Sequence, residues 1–173
     1  MSIKTVQTWE DETLDLKENL LRGVYAYGFE KPSPIQKTAV PTMVAETKAG
    51  ERRDIIAQAQ SGTGKTGAFT VSTLQIIEEN ESKTQALILA PTHELANQIC
   101  ACVNDLGRYL KITVQLLVGG TSVDKDKEKL DNDPPQIVVG TPGRVHDMIR
   151  RKYLKVSDLK VLVLDEADEM LST

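Results

Sequence analysis

Four short runs of apolar, β-prone residues recur along this chain of 173 residues, and each ends in a turn or a polar motif. They are Asp54–Ala57, Ala86–Leu89, Gln136–Val139 and Val161–Leu164. Runs this short, without polar alternation, suit strands buried on both faces of a parallel sheet. A fifth run, Ile112–Val118, ends at Gly119-Gly120. Between the runs the spacing becomes helical, over Thr66–Glu79, Glu94–Leu110 and Arg144–Arg151. The middle helix carries Leu95, Ile99, Val103, Leu106 and Leu110 on one stripe. Alternating strand and helix predicts an α/β fold, a doubly wound, mostly parallel sheet with helices on both faces. Such sheets bind ligands beyond the carboxyl ends of their strands, where the distinctive motifs of this chain lie.

Upstream of the first strand, Leu16, Leu20, Leu21 and Val24 predict a helix over Thr13–Tyr27, ended by Gly28. A second helix starts at Ser33-Pro34, with Ser33 as the cap and Pro34 in the first turn, and Pro41 is expected to kink or shorten it. Glu46–Arg53 reads as a loop, and the charge run Asp124–Asp133 as a solvated helix face or loop. An apolar fraction of 40% and a charged fraction of 27% suit one globular domain with its own core. No apolar run approaches the roughly 20 residues that span a bilayer, and the first residues lack a signal-peptide core. The expected location is cytoplasmic, or nuclear, with no membrane partner. Cys100 and Cys102 lie two apart on a helix and have no second Cys/His cluster to complete a zinc site, so both are expected to pack structurally. The net charge of −4 argues against a strongly basic nucleic-acid surface. An RNA site here would have to be a local patch built on backbone N–H groups and helix N-termini.

The strongest chemical signal is Ala59-Gln60-Ser61-Gly62-Thr63-Gly64-Lys65-Thr66, which follows one expected strand and opens one expected helix. That context is what a phosphate loop needs: glycines let several N–H groups converge on phosphate oxygens. Lys65 would reach the β- and γ-phosphates, and the Thr66 hydroxyl would ligate Mg2+. The strict pattern has glycine where Ala59 stands. A second signal, Asp165-Glu166-Ala167-Asp168, directly follows the last strand. Alone it reads as a solvated acidic turn; beside a phosphate loop, Asp165 is placed to hold Mg2+ largely through water, and Glu166 to orient or deprotonate an attacking water.

In chain order, further motifs accompany these two: Tyr25-Ala26-Tyr27-Gly28-Phe29-Glu30-Lys31-Pro32-Ser33 with Ile35-Gln36, then Pro91-Thr92-His93-Glu94-Leu95-Ala96, Gly119-Gly120 and Thr141-Pro142-Gly143-Arg144. Together they resemble the DEAD-box RNA helicases, most closely the eukaryotic initiation factor 4A subgroup, and in that family alanine stands at the Ala59 position. The resemblance covers nearly the whole chain. It implies a RecA-like domain over residues 36–173, preceded by a helical segment, 1–35, that leads into the adenine-side motif. It implies that Phe29 stacks on adenine, that Gln36 reads its edge, and that Lys31 also lies on the nucleotide. Read as residues alone, Phe29 is equally a core aromatic, and Ser33-Pro34-Ile35-Gln36 fits a capping box. The same resemblance places RNA on Pro91, Thr92, Gly119, Gly120, Thr141, Pro142 and Arg144, though Gly119-Gly120 by itself reads as an ordinary turn.

The resemblance also implies ATP and Mg2+ as cofactors, RNA gripped by its backbone without sequence preference, a second RecA-like lobe, and regulatory protein partners. Three positions depart from the pattern. His93 replaces a family arginine, Trp9 an upstream phenylalanine, and the loop Glu46–Arg53 is longer. The chain stops at Thr173, ahead of the family's Ser-Ala-Thr motif and second lobe, so on this reading a fragment of this extent would be nearly inert as a catalyst. A single-lobe module that binds nucleotide or partners without turnover is the rival expectation.

Overall fold

The computed structural model describes residues 5–48, 53–57 and 64–166. The elements run α1 (Glu18–Tyr27), α2 (Pro34–Lys48), β1 (Arg53–Ala57), α3 (Lys65–Ile76), β2 (Ala86–Leu89), α4 (His93–Leu106), β3 (Val114–Leu117), α5 (Val123–Asn132), β4 (Ile137–Gly140), α6 (Pro142–Arg150) and β5 (Val161–Asp165). The strands form one sheet in the order β1-β5-β2-β4-β3, with every pairing parallel.

Successive side chains of a strand point to opposite faces, and the packing follows that alternation. Ala86 and Ile88 of β2 join a core with Val40 of α2, Leu74 of α3 and Ile99 of α4. Their neighbour Leu87 joins a second core with Leu130 of α5 and Met148 of α6. Both faces are therefore covered, as expected for a doubly wound sheet. Val6, Trp9, Leu14, Leu20 and Val24 from the N-terminal segment belong to the first core. Gly23 lets α1 lie directly on α4, because a Cβ there would overlap the Leu106 carbonyl.

Several element ends differ from the sequence expectation. Helix α2 continues through Pro41 to Lys48, into the segment expected as a loop. Proline removes the N–H that would bond the carbonyl four residues back, here Lys37. The Val6 N–H donates to that carbonyl instead, at 3.1 Å, so the acceptor is satisfied from outside the helix. Helix α3 stops at Ile76, short of Glu79, because Ile77 turns extended. The Lys17 ammonium caps that end, donating to the carbonyls of Leu74 at 2.9 Å and Ile77 at 2.5 Å; burial pushes its pKa down. Helix α4 stops at Leu106, with Gly107 as its C-cap, while Leu110 beyond it stays buried. The charge run 124–133 forms α5, capped where the Ser122 hydroxyl accepts from the Lys125 N–H. Both cysteines are free, Cys102 buried and Cys100 half-buried, and burial pushes both thiols up. Among the described residues no helix is long and apolar enough to cross a membrane.

Candidate active site

Register brings the strand ends to a common edge. Ala57 pairs with Asp165, Leu89 with both Leu164 and Gly140, and Gly140 with Leu117. Along this edge the motifs fall into two groups. The ends of β1 and β5 carry the phosphate-loop helix and the acidic motif; the ends of β2, β4 and β3 carry the Pro91, Thr141 and Gly119 turns.

On the first side, Gly64 is the N-cap of α3 in a left-handed conformation (φ +81), and no side chain caps the helix. The first-turn N–H groups and the helix dipole therefore face the edge without a capping side chain. Lys65 and Asp165 are both buried, at 5% and 1% exposure. Their Nζ and Oδ1 lie 2.6 Å apart, meeting as charges without an aligned hydrogen bond. An ammonium has three donors and a carboxylate about four acceptor positions, so among the described residues much of the capacity of this buried pair is unspent. That fits phosphate oxygens at Lys65 and a cation at Asp165. Thr66, half-buried in the same first turn, supplies a further oxygen. Among the described residues no group of three or more His, Cys, Asp or Glu could cage a metal. A magnesium ion here would rest on Asp165, Thr66, water and the ligand's own phosphates, the usual way Mg2+ is held. Glu166 follows with φ +51, a conformation uncommon for a residue with a side chain. Ala59, Gln60, Ser61, Gly62 and Thr63 lie outside the described residues, as do Ala167 and Asp168.

The residues expected on the adenine side pack against the same helix. Phe29 is half-buried, stacked on Trp9 at 6.3 Å and edge-on to Tyr27 at 4.9 Å. The adjacent Cys102 sulfur, with some desolvation, pushes the Tyr27 phenol up to about 12. Gln36 makes the capping box: its Oε1 accepts from the Ser33 N–H at 2.9 Å, and the Ser33 hydroxyl accepts from the Gln36 N–H at 3.4 Å. Its Nε2 also donates to the Gly64 carbonyl at 3.2 Å, so one amide joins the start of α2 to the start of α3. The amide retains a second N–H and a second lone pair. Gly67 is needed for this arrangement, since a Cβ there would lie 2.7 Å from Gln36 Nε2 and 2.8 Å from the Phe29 ring. Lys31 is exposed nearby in the chain.

On the second side, the Thr92 hydroxyl caps α4 by accepting from the Leu95 N–H at 3.1 Å. His93, the first residue of α4, is exposed. Thr141 caps α6 without a side-chain bond, and Pro142 opens that helix. Gly119, Gly120 and Gly143 each have open space where a Cβ would go. Only Gly120, at φ +87, needs glycine for its own backbone; Gly119 and Gly143 have no such reason within this domain. Arg144 is among the residues that the resemblance places on RNA. Here its Nη1 donates to the Asp126 carboxylate at 2.8 Å and the Thr121 hydroxyl at 3.0 Å, and its Nη2 to the Thr121 carbonyl at 2.9 Å. Asp126 escaped the sequence reading because it sits in a run of charges; Gly67 carried a faint signal, a glycine one residue inside a helix.

A family model described as DEAD/DEAH box helicase matches residues 33–173. A protein named ATP-dependent RNA helicase eIF4A from Botryotinia fuckeliana is 54% identical over 161 residues, 93% of this chain and 39% of that protein. The Candida albicans protein of the same name is 54% identical over 162 residues, again covering 39% of the relative. The chain thus spans about two fifths of the length of the curated relatives it matches. A structure of S. cerevisiae Dbp5 bound to RNA and ADP BeF3 superposes with a TM-score of 0.83 at 40% identity, covering 97% of this chain and 40% of that one. A DEAD box protein from the hyperthermophile Methanococcus jannaschii gives 0.82 at 33% identity, with 97% and 44% covered. Since the matched family model begins at the capping Ser33 and runs through both groups of strand-end motifs, the chain belongs to the DEAD/DEAH box helicases.

Proposed function

We propose that this chain is the ATP-binding lobe of an RNA-dependent ATPase that locally separates short RNA duplexes, in translation initiation or related RNA metabolism. The observation that carries the reading is the buried Lys65–Asp165 pair, with unspent donors and acceptors, beside the Phe29–Gln36 cluster on one half of the sheet edge. The names of the relatives and the RNA- and nucleotide-bound neighbour support it. Lys65, with Ala59 to Gly64, would cradle the phosphates; Thr66 and Asp165 would hold Mg2+; Phe29, Gln36 and Lys31 would receive the base side. Glu166 would orient or deprotonate the attacking water. Bound magnesium would neutralise charge on the β- and γ-phosphates. Pro91, Thr92, Gly119, Gly120, Thr141 and Pro142 would approach an RNA backbone through small side chains and N–H groups, with Arg144 behind them. A second RecA-like lobe would close over the edge and supply cationic groups that complete the hydrolytic site. Regulatory protein partners belong to the same reading: one structural neighbour is described in complex with Gle1 and IP6.

Calorimetric titration with ADP and GDP in the presence of Mg2+ tests the nucleotide half. ADP should bind more tightly; equal affinities would remove the case for adenine recognition by Phe29 and Gln36.

A further inference from the structure

The Arg144 guanidinium does not stand free at the edge. It lies between two turns and donates to the β3–α5 side: to the Thr121 carbonyl, the Thr121 hydroxyl and the Asp126 carboxylate. Arg144 itself sits in the first turn of α6, directly after Thr141-Pro142-Gly143. Asp126 sits in the first turn of α5, directly after Gly119-Gly120-Thr121-Ser122. The ion pair is 2.8 Å long, and both side chains are only 10% exposed. Asp126 is in turn anchored to β3, since its backbone carbonyl accepts from Gln115 Nε2 at 3.1 Å. The Thr121 hydroxyl also lies 3.0 Å from the Val118 carbonyl, which closes the turn on itself. At the glycine tips between these anchors a Cβ would meet only open space.

We infer that Asp126 is a positioning residue for RNA: by holding Arg144 against Thr121, it fixes the Gly119-Gly120 turn relative to the Thr141-Pro142-Gly143 turn, so that both meet one stretch of sugar-phosphate backbone. This rests on the RNA reading above. A carboxylate beside an RNA groove repels phosphate and is useful only if its hold on Arg144 outweighs that repulsion. The arrangement also explains how a domain of net charge −4 can grip RNA. The turns work through aligned N–H groups and close approach, while the nearby arginine is spent on geometry.

The two possible roles for Asp126 have opposite signs. If it only cages Arg144, Asp126→Ala should release a cation, strengthen single-stranded RNA binding and steepen its salt dependence by up to about 0.7 per added phosphate contact. If it positions the turns, Asp126→Ala should weaken RNA binding about 5–10-fold, roughly one ordinary hydrogen bond's worth of order. ADP affinity should stay at the wild-type level. Asp126→Asn, which keeps an acceptor at the same place, should recover most of the RNA affinity. We would measure oligo-uridine binding by fluorescence anisotropy over a salt series, with ADP calorimetry on the same samples. Tighter RNA binding by Asp126→Ala, no change, or a parallel loss of both ligands that Asp126→Asn fails to rescue would each overturn the positioning role. Failure of wild type to bind oligo-uridine at all would overturn the RNA reading itself, and the inference with it.

Discussion

Replacing Gly67 with alanine sets two effects against each other that the geometry lets one weigh. In an ordinary helix interior the change should stabilise by about 1 kcal/mol, because alanine loses less backbone entropy. Here the new Cβ would lie 2.7 Å from Gln36 Nε2, and 2.8 and 2.9 Å from two Phe29 ring carbons. Unstrained carbon contacts begin near 3.5 Å, so the ring and the amide must retreat by roughly 0.7 Å. Phe29 has little room to do so, with Trp9 stacked on it and Tyr27 at its edge. Overpacking of this kind costs about 1–3 kcal/mol, which leaves a net destabilisation of roughly 0–2 kcal/mol. The displaced groups are the ones proposed to receive adenine. Stacking on an aromatic side chain contributes about 1–3 kcal/mol per base, so losing half to most of it should weaken ADP binding roughly 5–30-fold. Tripolyphosphate, which has no base, should bind within about twofold of wild type. Calorimetry with both ligands and thermal unfolding followed by the single tryptophan would measure all three quantities. A variant that gains the full helix-propensity stabilisation and binds ADP normally would refute the reasoning.

Other substitutions probe separate parts of the account. Asp165→Asn leaves the Lys65 ammonium buried without its counter-charge, which should destabilise by about 3–5 kcal/mol in urea unfolding; adding Lys65→Met should recover much of the loss. Gln36→Ala removes both the bond to the Ser33 N–H and the link to the Gly64 carbonyl. It should lower the melting temperature and also weaken ADP binding roughly 2–12-fold, the worth of one hydrogen bond of about 0.5–1.5 kcal/mol. A loss of stability alone would leave Gln36 a capping residue. His93→Arg places a permanent cation at the exposed start of α4 and should strengthen RNA binding, with a salt slope steeper by up to about 0.7; an unchanged slope would remove position 93 from the RNA face.

Features that depend on neighbours in the chain were legible in the sequence. Ala86–Leu89 reads as a buried strand because every residue is apolar, and it forms that strand between the same ends. Helix α2 starts at Pro34, directly after the expected cap Ser33. The capping box at Ser33–Gln36 likewise forms. What escaped depends on partners distant in sequence. Pro41 looked like a helix breaker because nothing local satisfies the Lys37 carbonyl; the donor is Val6. The end of α3 could not be placed because Lys17, 57 residues before Leu74, caps it. The resemblance places Arg144 on RNA, and the carboxylate that holds it lies 18 residues upstream inside a run of charges. The cluster proposed to receive adenine was visible as a motif, while the dependence of Phe29 and Gln36 on Gly67 appears only when the two helices meet.

On the proposed function the sheet edge is divided, with nucleotide at the ends of β1 and β5 and RNA at the ends of β2, β4 and β3. At 19.1 kDa the chain is small enough for residue-by-residue amide NMR. Titration with Mg·ADP should move the signals of Phe29 to Gln36, Gly64 to Gly67 and Asp165 to Glu166. Titration with oligo-uridine should move Thr92, Gly119 to Ser122 and Gly143, and leave the first set nearly still. Nucleotide-induced shifts centred on the Gly119 and Thr141 turns, or RNA-induced shifts centred on Lys65 and Asp165, would contradict the account.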